Sequence, residues 1–260
     1  MDWSFFQGVR CINLKERNDR YESSYKVFEK IGLSSLVRYH RVDRHPSDPI
    51  EGCFNSHMSI IREAYDNGND NVLIFEDDIL QTEYLNNTNL SECIKFMKEN
   101  EDWEIFFLGC IPDTVKYNIT SISGYSNIYK VRPWGCHAYV VNRKYMEKIY
   151  SMKYIGHAID GLTNANKHAY CIIPSLFEQG SYGSDINTSG SFGNVSETIK
   201  RKALHINELY ATMINKPLVY LLVILSLGFG LMIILYLINP KQGIGWLSLL
   251  ILIIGLFLII

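Results

Sequence analysis

Over residues 8–190 the apolar positions follow two alternating rhythms. Short segments at 8–14, 36–42, 71–75, 103–108 and 137–141 have the length and the β-branched or aromatic content of strands. Between them, segments 19–31, 52–67, 90–100 and 143–152 read as helices. The clearest is 52–67, where Phe54, Met58, Ile61 and Tyr65 recur at three- and four-residue spacing and trace one helical face. The run 71–75 is continuously apolar and bounded by Gly68, Asn69 and Asp70, which predicts a strand buried on both faces. Strand and helix alternate throughout, so the expected architecture is an α/β domain with a mostly parallel sheet. The stretch 175–195, rich in Ser, Gly and Asn, reads as a loop.

The rhythm then changes. Ile199, Ala203, Ile206, Tyr210 and Met213 keep helical spacing, so an amphipathic linker helix is expected over 196–217. Residues 218–238 form an uncharged run of 21 positions, about 31 Å as an α-helix and long enough to cross a bilayer core. Asn239 and Pro240 open a five-residue turn, and 244–260 adds a second uncharged run of about 26 Å. Together these predict a transmembrane helical hairpin, with one span plus a buried or interfacial helix as the alternative, giving a three-part chain of 1–195, 196–217 and 218–260. Lys200, Arg201, Lys202 and Lys216 precede the first run and only Lys241 lies in the turn. The positive-inside bias therefore places the front domain on the cytoplasmic side of the membrane. The first residues also lack the apolar run of a secretory signal, which points the same way.

Composition sharpens this division. The chain has 260 residues, a formal net charge of -2 and 47% hydrophobic residues. All 27 acidic residues fall in 1–217, and Lys241 is the one charge beyond that point. Charge in the front part is nearly balanced and no basic face is evident, so a nucleic-acid partner is not expected. The six cysteines show no paired or zinc-like spacing and mostly sit in apolar runs, as reduced core thiols do.

The sharpest chemistry is Glu76, Asp77 and Asp78, directly after the buried strand. In open α/β sheets ligands bind at the carboxyl ends of strands, and three adjacent carboxylates there call for a positive partner. Alternation along the strand predicts that Glu76 and Asp78 share a side while Asp77 points away. Oxygen ligands on one side suit Mg²⁺ or Mn²⁺, which commonly bridge to phosphates. A bland acidic turn satisfied by helix N-termini and lysines is the alternative. Gly52, Cys53, Ser56 and His57 stand at the expected start of a helix, where free N–H groups could receive a diphosphate. A Ser-His-Asp hydrolase is disfavoured because no Gly-x-Ser-x-Gly elbow follows a strand.

These pieces in order resemble glycosyltransferase family 25, which contains lipopolysaccharide-biosynthesis transferases and collagen galactosyltransferases. The resemblance is carried by Cys11 to Leu14 with Arg17 and Arg20, by Gly52, Cys53, Ser56 and His57, and by Leu73 to Asp78. It continues through Leu108 and Gly109, Gly135 to Tyr139, Ala158 to Asp160, and Gln179 with Ser184, Asp185 and Ile186.

The resemblance implies a GT-A-like, Rossmann-type fold binding a nucleotide-diphosphate sugar, most simply a UDP-sugar, with Mn²⁺ or Mg²⁺. It further implies inverting transfer of a hexose, galactose or glucose, to a glycan, lipid-linked or protein acceptor. Carried over by residue, Asn13, Arg17 and Arg20 match the nucleotide side, and Ser56 and His57 line the donor site. Glu76 and Asp77 belong to the donor site as well, with Asp78 and Glu76 holding the metal. Asp160 is the first candidate for the base near the acceptor hydroxyl, with Asp185 behind it. Asp160 could instead cap a helix beginning at Gly161. Two other classes stand beside a transferase. One is an inactive sugar-nucleotide-binding membrane protein, against which the intact Glu76 and Asp78 argue. The other is a metal-dependent hydrolase built on the acidic cluster.

Overall fold

A computed structural model describes residues 1–113, 117 and 119–180. The amphipathic segment 196–217, the apolar runs 218–238 and 244–260, and the candidate base Asp185 lie outside the described residues. Among the described residues no helix is long and apolar enough to cross a membrane.

In chain order the elements are β1 (Gly8–Leu14), α1 (Asn18–Lys30), β2 (Arg38–Val42), α2 (Pro49–Asp66), β3 (Asn71–Glu76), β4 (Ile79–Gln81) and α3 (Asn87–Glu99). They continue with β5 (Ile105–Pro112), β6 (Thr120–Ser121), β7 (Ile128–Lys130), β8 (Pro133–Asn142), α4 (Arg143–Ile149), α5 (Ile159–Ala165), β9 (Ala169–Ile172) and β10 (Phe177–Gln179). The main sheet has eight strands in the order β2-β1-β3-β8-β5-β9-β7-β6, and β4 pairs with β10 in a separate ribbon.

The sheet is mixed. β1 runs parallel to β2 and β3, and β5 runs parallel to β9. β8 is antiparallel to both β3 and β5, and β7 is antiparallel to β6 and β9. Most strands therefore point one way, as expected, but β8 enters the centre reversed. The reason is the β6–β7 hairpin between β5 and β8: it turns the chain back without the crossover helix a parallel return needs.

The core has two halves, one on each face of the sheet. Leu73 and Phe75 of β3 with Phe106 and Leu108 of β5 pack with Phe28 of α1 and Cys93 and Phe96 of α3. The alternate positions Val72, Ile74, Ile105 and Phe107 pack with Phe54 and Met58 of α2, Met146 of α4 and Ile159 of α5. β3 and β5 are thus covered on both faces, which is why their sequences are unbroken apolar runs. Each such buried side chain is worth about 1.5–3 kcal/mol over an exposed one. All six cysteines are free, and five are buried in these layers.

Two predicted boundaries move for local reasons. α2 starts at Pro49 rather than at residue 52, because Asp48 accepts from the N–H groups of Ile50 and Glu51 and Pro sits at the first helical position. Within the stretch predicted as loop from 175, Phe177–Gln179 forms β10 and zips antiparallel onto β4.

Candidate functional site

Glu76 is the last residue of β3, and Asp77 and Asp78 follow in the tight turn into β4. The three carboxylates diverge. Asp77 faces α1: its Oδ1 accepts from Arg20 Nη1 at 3.0 Å and its Oδ2 from Asn13 Nδ2 at 2.7 Å. Glu76 faces α2, with Oε1 3.5 Å from His57 Nε2. Asp78 lies between them, its Oδ2 accepting from Gln179 Nε2 at 3.1 Å and sitting 3.6 Å from Arg20 Nη1. The same Gln179 Nε2 reaches Glu76 Oε2 at 3.4 Å, so one amide spans the two carboxylates. That sharing places Glu76 and Asp78 on a common side and Asp77 away from it.

Electrostatics at this pair are unfavourable as they stand. Burial pushes Glu76 up to about 8, helped by the negative charges of Asp160 and Asp77 and opposed by Arg20. Burial, then the Glu76 charge, pushes Asp78 up to about 8 against the pull of Arg20. Asp77 is also raised by burial, with Asn13 and Arg20 opposing. Asp78 Oδ1 is buried and finds no hydrogen-bond partner among the described residues. Two oxygen donors with raised proton affinity and an unused lone pair fit a hard divalent cation, which would replace the missing positive charge.

The remaining predicted residues occupy defined places around this pair. Asn13, at the carboxyl end of β1, is saturated: besides Asp77 it donates to the Arg17 carbonyl at 3.0 Å and accepts from Arg41 Nε at 3.0 Å. It fixes the β1–α1 turn. Arg20 lies on α1 with its guanidinium buried against Asp77, the pair being only 9% and 7% exposed. Such a buried pair is weak evidence for stability, but it locks α1 to the acidic turn. Arg17 forms a two-point ion pair with Asp19 at 2.9 and 2.8 Å, and its charge also favours ionised Asp77.

The helix-terminus anion site expected at Gly52 does not form. Gly52 and Ser56 lie inside α2, where Gly52 N–H donates to the Asp48 carbonyl at 3.0 Å and Ser56 Oγ donates to the Gly52 carbonyl at 2.7 Å. The true N-terminus is already occupied by the Asp48 carboxylate. His57 is instead brought to the acidic pair from the side of the helix. It is fully buried, its Nδ1 is 2.8 Å from the Tyr139 hydroxyl, and burial pushes its pKa down to about 4. One turn earlier on the same face, Cys53 completes a trio in which Sγ, an imidazole nitrogen and a Glu76 oxygen lie within 4.8 Å of one another.

Asp160 is not a helix cap. α5 begins at Ile159 behind Ala158, and Asp160 Oδ2 accepts the Gly135 N–H at 3.2 Å. Gly135 holds φ +82, a left-handed conformation that a side chain would strain. Asp160 lies close enough to Glu76 and His57 for its charge to act on both.

Gln179 and Tyr139 belong to segments that carry the family resemblance, but the sequence assigns neither a role in the site. β10 sets Gln179 against both Glu76 and Asp78. A tyrosine within an apolar strand needs a partner for its hydroxyl, and for Tyr139 His57 is that partner.

Several solved structures resemble the chain at low identity. A glycosyltransferase involved in glycosylation of the major capsid of PBCV-1 is 10% identical, with 75% of this chain and 99% of that one covered and a TM-score of 0.40. A mutant of the Drosophila β-1,4-galactosyltransferase 7 in complex with manganese, UDP-Gal and xylobiose is 12% identical, covering 72% and 77% with a TM-score of 0.39. A UDP-glucose pyrophosphorylase complexed with UDP-glucose is 11% identical, covering 66% and 74% with a TM-score of 0.38. The family assignment rests on sequence: the family model described as glycosyltransferase family 25 (LPS biosynthesis protein) matches residues 2–163. That span carries the β3 carboxylates, the α2 Cys53 and His57, and Asp160, and the chain belongs to glycosyltransferase family 25.

Proposed function

We propose that this glycosyltransferase moves a hexose, galactose or glucose, from a UDP-sugar to a glycan or lipid-linked acceptor with inversion at the anomeric carbon. The observation that carries the reading is the Glu76–Asp78 pair at the end of β3, joined by Gln179 and leaving Asp78 Oδ1 without a hydrogen-bond partner among the described residues. Glu76 and Asp78 would hold Mn²⁺ or Mg²⁺. Such an ion supplies charge neutralisation for a leaving diphosphate.

The chain's own groups do the rest. Asn13 and Arg20 hold Asp77 and fix the floor of the acidic turn, and Arg17 contributes positive charge on the nucleotide side. His57 stays neutral at physiological pH and packs against Glu76, keeping the carboxylate aimed out of α2. Asp160, oriented by the Gly135 N–H, is the first candidate to accept the acceptor hydroxyl proton, with Asp185 the second. An inverting displacement needs a single base on the acceptor side, which suits one oriented carboxylate. The apolar runs at 218–238 and 244–260 support a membrane-anchored, cytoplasm-facing enzyme.

Calorimetric binding of UDP-, GDP- and CMP-sugars with and without Mn²⁺ tests the donor side. The expected result is UDP-sugar binding that Mn²⁺ strengthens, followed by turnover to a product of opposite anomeric configuration. Equal binding with and without metal would overturn the cation assignment, and a retained configuration would overturn inversion.

A further inference from the structure

We propose that Cys53, His57 and Glu76 form a second cation site, selective for a borderline ion of the Zn²⁺ class rather than the hard ion suited to Glu76 and Asp78. Three observations carry it. Cys53 and His57 stand four residues apart on α2, a spacing that brings both side chains to one helix face, and β3 delivers Glu76 opposite them. Their donor atoms lie within 4.8 Å of one another. Tetrahedral zinc ligands are separated by about 3.5 Å, so contraction of about 1 Å closes the set, within reach of small side-chain rotations. The third observation is that His57 Nε2 is buried, points at Glu76 Oε1 across 3.5 Å, and has no hydrogen-bond partner among the described residues.

The other side of His57 is arranged as a ligand requires. Metal-bound imidazoles usually donate their second N–H to a fixed acceptor, and here Nδ1 meets the buried Tyr139 hydroxyl at 2.8 Å. With that proton on Nδ1, the Nε2 lone pair faces the trio. Cys53 and Glu76 are partly exposed, which gives an ion and one exogenous ligand access. A thiolate, an imidazole and one carboxylate are the ligand types of an open three-ligand zinc site, and sulfur disfavours Mg²⁺ and Mn²⁺. On binding, the Cys53 thiol gives its proton to solvent and the thiolate takes up the metal. Glu76 has one oxygen toward each site, Oε1 to His57 and Oε2 to Gln179. Zn²⁺ at the trio therefore draws on the same carboxylate as the hard ion, through its other oxygen.

The test is titration of the reduced full chain with Co²⁺, an optical stand-in for Zn²⁺. The expected result is a thiolate-to-cobalt charge-transfer band in the near ultraviolet that saturates at one equivalent and is displaced by Zn²⁺. Cys53→Ser should remove that band. Tyr139→Phe should weaken Co²⁺ affinity about 10-fold through loss of the outer partner, with the band's shape retained. Absence of a thiolate band in the unaltered chain overturns the site, whatever the variants do. A band that persists in Cys53→Ser assigns the sulfur to another cysteine and overturns it equally. The readout needs no donor: a chain with the band but without Mn²⁺-dependent sugar-nucleotide binding keeps this site and loses the proposed metal-dependent donor site, and the converse separates them the other way.

Discussion

At Asp78 the fold keeps a buried carboxylate beside a second one, with Arg20 and a single amide to offset them. Asp78→Asn retains the shape and the Gln179 contact region but removes the anionic ligand. We expect Mn²⁺-dependent transfer to fall about 100-fold or more, with the melting temperature unchanged or raised because a strained buried charge is gone. Full activity across a Mn²⁺ titration would remove Asp78 from the metal. Asp160→Asn separates a different role: loss of a base acts on the chemical step, so turnover should fall about 100-fold while donor affinity holds. A collapse of donor affinity instead would move Asp160 to the nucleotide side. His137, fully enclosed in β8 against the Phe177 carbonyl, gives a pH signature. Burial lowers its pKa from 6.5 to about 4, so the stability it confers is complete above 6.5 and is lost as pH falls through 4. Glu76 and Asp78 act in the opposite sense, their raised pKa values destabilising the metal-free fold as pH rises toward 8. The difference between the unaltered chain and His137→Gln isolates the histidine: in denaturant titrations it should change by about 3 kcal/mol between pH 7 and pH 4. A pH-independent difference would mean that His137 titrates alike in the folded and the unfolded chain. The acidic residues and His57 were readable from sequence because each stands at an element end or on a periodic face. Their partners were not, since Tyr139 is 82 positions from His57 and Gln179 is 101 from Asp78.

The β4–β10 ribbon is the element on which the site turns, because it is what sets Gln179 against the acidic pair. Its seat depends on Gly109 in β5, where an added Cβ would lie 2.3 Å from the Phe177 carbonyl and 2.6 Å from His137 Nε2. Gly109→Ala must push β10 off the sheet. We expect destabilisation of about 1–3 kcal/mol and a loss of Mn²⁺ affinity that exceeds any change in UDP-sugar binding measured without metal. Unchanged metal affinity in a folded variant would show that Gln179 does not hold the pair. Nothing in the chain around residue 109 announces this contact: it is a close approach between a strand and a residue 68 positions later. The long strands were readable for a physical reason. β3 and β5 are buried enough to print nearly unbroken apolar runs, and β1 falls on its predicted span of 8–14. β4, β6, β7 and β10 have two or three residues each, too few for a period to show, and their pairing is decided by tertiary contacts. The reversed direction of β8 was hidden for the same reason, since the hairpin that reverses it is built from two of those short strands. α2 began earlier than its apolar stripe because the Asp48 and Pro49 signals lie outside the periodic face.

For the whole molecule the question is what the described domain is tethered to. Residues 218–238 and 244–260 hold no charge, four basic residues stand shortly before the first run, and Lys241 alone occupies the turn. A hairpin would return the chain to the side from which it left, and on the positive-inside bias we propose the cytoplasm as that side. A cytoplasmic domain meets sugar nucleotides where they are made, and a membrane tether raises the effective concentration of a lipid-linked acceptor over a free one. We therefore expect the full chain to remain with membranes after an alkaline wash, and a chain ending at residue 217 to appear in the soluble fraction with its donor binding intact. In sealed vesicles with the cytoplasmic face outward, protease should digest the front domain, and a glycosylation tag placed after residue 260 should stay unmodified. Modification of the tag with the front domain still digested would reduce the hairpin to one span and preserve the orientation. Protection of the front domain, or glycan on Asn86 or Asn89, which begin Asn-x-Thr and Asn-x-Ser acceptor tripeptides, would reverse the orientation. A full chain released by the alkaline wash would remove the membrane anchor, and the acceptor would then have to be sought among soluble glycans.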